Sequence, residues 1–125
     1  MKITIILIAI LVPLTALLRK YSLNKLLEKL YQLAYVENDE KGFLLLLSSP
    51  QADMIMSSKS RKMMELNYWI YKDDIEKVKK ASDLIEKQKM NVDDAVALYS
   101  LLIGYYADKK DRVGLEYQEK LNKYS

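Results

Sequence analysis

The sequence predicts an all-α protein: a single N-terminal transmembrane helix over residues 1–20, followed by about three antiparallel helix pairs over residues 21–125. Three observations carry this. From Tyr21 onward apolar residues recur at steps of three and four, the period of a helix with one buried face. No stretch alternates at period two, and no Asn-Gly or Asp-Gly pair marks a hairpin. One short pattern, a candidate capping Asp, two or three polar residues and an apolar residue four positions on, recurs in three places at spacings of 35 and 37 residues.

Composition narrows the function classes. The 125 residues hold 20 Lys and Arg against 17 Asp and Glu. Lys2, Arg19 and Lys20 account for the whole positive excess of three, because no acid lies before Tyr21. The part after Lys20 is neutral and lacks the basic stripe of a nucleic-acid-binding domain, so no nucleic acid is expected as a partner. With neither Cys nor His, disulfides, thiol nucleophiles and Cys/His zinc sites are excluded. Phosphate loops, nucleophile elbows and dinucleotide fingerprints are missing from the chain. No catalytic activity, cofactor or metal is expected.

The first element is the run Ile3–Leu18, sixteen residues without a charge, ended by Arg19-Lys20. As a helix it measures roughly 24 Å at about 1.5 Å per residue, against a hydrocarbon core of about 30 Å. Lys2 and Arg19 can snorkel to lengthen it. An uncleaved membrane anchor is the expectation, with residues 3–18 in the bilayer. Arg19, Lys20, Lys25 and Lys29 place the following domain in the cytoplasm by the positive-inside bias. A cleaved signal peptide is the competing reading, disfavoured by the poor cleavage site Thr15-Ala16-Leu17. A buried helix is the third, disfavoured because the run has no polar stripe.

The remaining elements follow in order. Leu23, Leu26, Leu27, Leu30, Tyr31 and Ala34 form one stripe, broken at Glu37-Asn38-Asp39. Phe43–Leu47 reads as a short helix buried on most sides, stopped by Ser48-Ser49-Pro50. Ala52–Met56 suggests one turn, and Ser57, Ser58 and Ser60 are candidate caps. Met63, Leu66, Asn67 and Ile70 form the next stripe, flanked by Met64, Tyr68 and Tyr71. Asp73, with Glu76 three residues on, resembles a capping box. Ile75, Val78, Ala81, Ser82 and Ile85 are expected inside the helix that follows. Asn91 caps another helix, with Asp93 and Asp94 at the positive end of its dipole. Its stripe is Ala95, Leu98, Tyr99, Leu102, Ile103 and Tyr106. A polar turn, Asp108-Lys109-Lys110-Asp111, leads to a last helix with Leu115, Gln118, Leu121 and Tyr124 along a weaker face.

The repeated pattern is Asp39-Glu-Lys-Gly-Phe43, Asp74-Ile-Glu-Lys-Val78 and Asp111-Arg-Val-Gly-Leu115. Two helices per unit near this period mark a helical solenoid. Over residues 23–124 the chain resembles a degenerate tetratricopeptide-repeat array. The four spaced core positions of the family's first helix correspond to Leu27, Leu30, Tyr31 and Ala34, then Met63, Leu66, Asn67 and Ile70, then Ala95, Leu98, Tyr99 and Leu102. The family's small residue at the start of the second helix is matched at Gly114, while Phe43 and Val78 depart from it. Tyr31, Asn67 and Tyr99 stand where the family has Gly. The resemblance implies a curved surface that binds a protein or peptide without chemistry of its own, here tethered to the membrane. Asn67, Tyr71, Tyr99 and Tyr106 are the candidate partner-binding residues on the face made by the first helices. Of Tyr105 and Tyr106, only one is expected to face the core.

Other readings are weaker. Asp73-Asp74 and Asp93-Asp94 sit at helix starts, where capping accounts for them. The Met cluster and the lysines around Lys77–Lys80 read as core filler and solvated surface. Three repeats with no evident polar capping helix suggest self-association. Alternative functions are a small bacterial immunity or accessory protein of a bacteriocin or transport system, and a secreted helical domain released after signal cleavage.

Overall fold

A computed structural model describes residues 2–124, and side chains from Leu17 to Tyr124. It is all-helical. Seven α-helices follow one another among the described residues: α1 (Lys2–Tyr31), α2 (Glu40–Leu47), α3 (Pro50–Ile55), α4 (Ser58–Lys72), α5 (Ile75–Glu86), α6 (Val92–Asp108) and α7 (Val113–Asn122). A π-helical turn, Gln32–Val36, extends α1. The helices group into two compact units, Met1–Arg61 and Lys62–Ser125.

In the first unit Leu26, Leu30 and Ala34 form the buried stripe of α1 and its π turn, with Phe43 and Leu47 of α2, Ala52 of α3, and Met56. Tyr31 is 63% exposed, so the expected stripe loses one member. Leu45 is 71% exposed, so α2 is two-faced rather than buried on most sides. Pro50 does more than stop α2: it opens α3 at the first helical position, where its missing N–H is not needed. Ser49 caps that helix, accepting from the Ala52 N–H. Ser57 plays the same part for α4, accepting from the Ser60 N–H.

The expected membrane anchor is corrected here. Arg19 and Lys20 do not end the first helix, which runs through both to Tyr31 over 30 residues. Among the described residues no helix is long and apolar enough to cross a membrane. Past Arg19 and Lys20 the same helix carries Lys25, Glu28 and Lys29 on exposed positions and buries Leu26 and Leu30, the pattern of a two-faced helix packed on one side. The single-pass placement in the cell membrane, with a cytoplasmic domain, falls with the anchor. The side chains of residues 1–16, Pro13 and Thr15 among them, lie outside the described residues.

In the second unit α5 buries Val78, Ala81, Ser82 and Ile85, while Ile75 at its start is exposed. From α4 the core takes Leu66, Tyr68 and Trp69, one step round from the expected stripe, since Asn67 is exposed. Asn91 and Asp94 form a full capping box for α6: the Asp94 N–H donates to Asn91 at 2.8 Å and the Asn91 N–H to Asp94 at 3.2 Å. Gly114 and Tyr117 are the buried residues of α7, and Leu115 is 68% exposed. Gln118 and Glu119 are exposed on this helix along with Leu115.

The three helix pairs α1–α2, α4–α5 and α6–α7 share one kind of turn. Among the described residues only Asn38, Asp73 and Lys110 have left-handed backbone, with φ of 52°, 57° and 54°. Each directly precedes the Asp of the repeated pattern. The Asp74 N–H returns to the Trp69 carbonyl at 3.1 Å and the Asp111 N–H to that of Tyr106 at 3.0 Å, the six-to-one bond of a Schellman motif. At Asp39 the bond reaches Leu33 at 2.8 Å, one residue further, because the π turn adds a residue. The Asp side chain then accepts from the first amides of the next helix: Gly42 at 3.0 Å, Lys77 at 3.3 Å and Val113 at 3.0 Å. Asp74, not Asp73, is thus the cap of α5.

A candidate binding cleft on the second helical unit

Tyr99 and Tyr106, seven residues apart, lie on the side of α6 that faces α7. Tyr117 of α7 enters between them, its ring 5.9 Å from Tyr99 and 5.8 Å from Tyr106, both stacked. Gly114 lies at this approach, where a Cβ would rest in ordinary contact with the Tyr106 Cβ at 3.4 Å and the Ile103 carbonyl at 3.8 Å, leaving little room for a larger side chain. Tyr99 is 3% and Tyr106 2% exposed. These two expected binding residues are therefore core, and no exposed face includes them. Their phenols stay protonated well into alkali. Burial is the main cause, raising Tyr106 to about 12 and Tyr99 further, where a 3.0 Å hydrogen bond to Glu86 adds to it. Lys120 completes the seam from α7, 2.9 Å from Glu86, and that bond raises its own pKa.

Tyr105 is buried as well, against the expectation that only one of the adjacent pair could be. Its ring packs edge-on against Tyr106 at 5.2 Å and its hydroxyl donates to Asp73 at 2.7 Å. A phenol long enough to reach the α4–α5 turn lets a residue at the margin of the core face satisfy its polar tip. Lys109 pairs with the same carboxylate. The hydrogen bonds from Lys109 and Tyr105 hold the Asp73 carboxyl below the usual carboxylate range.

Above this polar cluster α4 and α6 leave an open cleft of about 550 Å³. Ile70 and Asp73 line one side; Ser100, Leu101, Gly104, Tyr105, Asp108 and Lys109 line the other. Gly104 sits mid-helix with nothing within 4 Å of where its Cβ would be. Of the four residues expected to bind a partner, none lines the cleft. Asn67 and Tyr71 are exposed one turn apart on α4, and the Asn67 amide donates back to the Met63 carbonyl at 3.0 Å.

Sequence reasoning missed Gly104, Ser100, Leu101 and Asp108. The available signal was a glycine inside a strong helical stripe, which asks for a packing or functional reason. Among the described residues no group of Asp and Glu could hold a metal ion. Comparison with family models, with curated proteins and with solved structures finds no match to the chain.

Proposed function

We propose that the chain is a tetratricopeptide-like binding module that holds a protein or peptide segment in the cleft between α4 and α6, without catalysis of its own. The observation that carries the reading is the cleft itself, walled by the first helices of two successive pairs and floored by an exposed glycine. Ligand sites between packed helices are concave, partly apolar and equipped with a few polar groups, and this one has all three traits. Two further features support it: the same left-handed turn followed by Asp in each pair, with that Asp capping the next helix at Asp39 and Asp74, and the close approach of α7 to α6 at Gly114. Both are what stacked helical pairs need.

Selection from a displayed random-peptide library, followed by amide shift mapping of the winning peptide, tests the proposal. The reading predicts that related peptides emerge and that they shift Ser100, Gly104 and Lys109. Peptides that shift only residues away from the cleft, or a library with no winner, would overturn it.

A further inference from the structure

We infer that the cleft selects a segment that carries Lys or Arg next to an aliphatic side chain. This deepens the peptide-binding reading and rests on it. Charge gives the direction. Asp73 is already engaged by Lys109 and by the Tyr105 hydroxyl. Asp108 lines the cleft, and its carboxylate makes no ion pair or hydrogen bond among the described residues. Helix α6 contains Asp93, Asp94 and Asp108 and no Lys or Arg from Val92 to Asp108. Lys109 is the one cation of the lining, and its charge is spent on Asp73. The electrostatic partner left for an incoming chain is therefore a cation over Asp108.

The neighbouring surface sets the rest of the ligand. Ile70 and Leu101, both half-buried, give an aliphatic side chain a place to lose water. Gly104 lies between Leu101 and Asp108 along the helix. Glycine mid-helix is unfavourable relative to alanine, and no neighbour in the chain crowds this one. Space kept free there lets a peptide backbone settle against the helix, with its cation toward Asp108 and its apolar side chain toward Ile70.

The test is fluorescence anisotropy on the full chain, with a fluorescein-labelled peptide of four Leu-Ala-Lys triplets and counterparts with Glu or Gln at each Lys. The Lys peptide should bind saturably and more tightly than either counterpart. Asp108→Asn should weaken it about three- to fivefold, the worth of a partly exposed ion pair. Gly104→Leu should abolish binding while circular dichroism and the melting temperature show an intact fold. Equal binding of all three peptides, each lost in Gly104→Leu, would overturn the cationic preference and leave the cleft as a peptide site. Lys-peptide binding that survives Gly104→Leu, or no saturable binding of it, would overturn the inference, and the library selection then judges the broader reading separately.

Discussion

The hydroxyl of Tyr105 donates a 2.7 Å hydrogen bond to Oδ1 of Asp73, a residue 32 positions earlier with left-handed backbone. The contact ties the end of α6 to the turn between α4 and α5. Tyr105→Phe keeps the ring packing and removes only that bond. Because the acceptor is solvent-exposed, the loss should be about 1 kcal/mol, near the middle of the range for intramolecular hydrogen bonds. Urea unfolding measures it: the midpoint should fall with the slope unchanged.

Lys110 holds a φ of 54° with a side chain whose Cβ crowds the following carbonyl oxygen. Lys110→Gly should stabilise the chain by about 1 kcal/mol, since glycine is the natural occupant of this Schellman position. Asn38→Gly should gain less, as asparagine tolerates the left-handed region better. Thermal melts of the two variants rank these effects.

Two glycines should respond in opposite ways to added side chain. Gly104→Ala should stabilise α6 by up to about 1 kcal/mol, because nothing in the chain meets the new methyl. Gly114→Ala should be nearly neutral, its Cβ resting 3.4 Å from the Tyr106 Cβ. Gly114→Leu should lose about 1–3 kcal/mol or more by forcing α7 away from α6. Denaturation midpoints of the three variants check the order.

How far these features could be read beforehand varied with what surrounds them. Val78, Ala81, Ser82 and Ile85 were legible because lysines and acids fill most of the other positions of α5, Ile75 and Leu84 being the exposed exceptions. The Asn91 cap was legible because its partner Asp94 is local. Leu115 was misplaced because α7 starts one residue later than the Asp111 pattern implies, which swings Gly114 and Tyr117 inward. Tyr99 and Tyr106 were read both as members of the α6 stripe and as candidate partner-binding residues, because a tyrosine's burial is decided by a distant partner, here Tyr117. The cleft was illegible for a related reason: its lining joins two residues of the α4–α5 region to six from Ser100 to Lys109, and only tertiary packing brings them together. The long N-terminal apolar run misled because composition alone does not say where a helix ends.

The tyrosines make a pH prediction. Burial raises Tyr99, Tyr105 and Tyr106 above the unfolded value, and hydrogen bonds to Glu86 and Asp73 add to the first two. A group whose folded pKa is raised stabilises fully below its unfolded pKa and loses that stability as pH rises through the folded one. The chain should keep this contribution below about pH 10, the ordinary tyrosine value, and lose stability steadily from there to beyond pH 12. Absorbance at the phenolate band during an alkaline titration should show a set of tyrosines ionising together with loss of helicity. Ionisation of all ten at the ordinary value, with the fold intact, would contradict the buried tyrosine seam.

One turn is used three times: a left-handed residue, then an Asp whose carboxylate accepts from an early amide of the next helix. Its most direct test is the intraresidue amide–Hα nuclear Overhauser effect, which is strong only where φ is positive. Strong effects at Asn38, Asp73 and Lys110, with weak ones at Asp39, Asp74 and Asp111, are the expected result. Weak effects at those three residues, with helical carbon shifts running unbroken through any of the turns, would contradict the repeat and the cleft built on it.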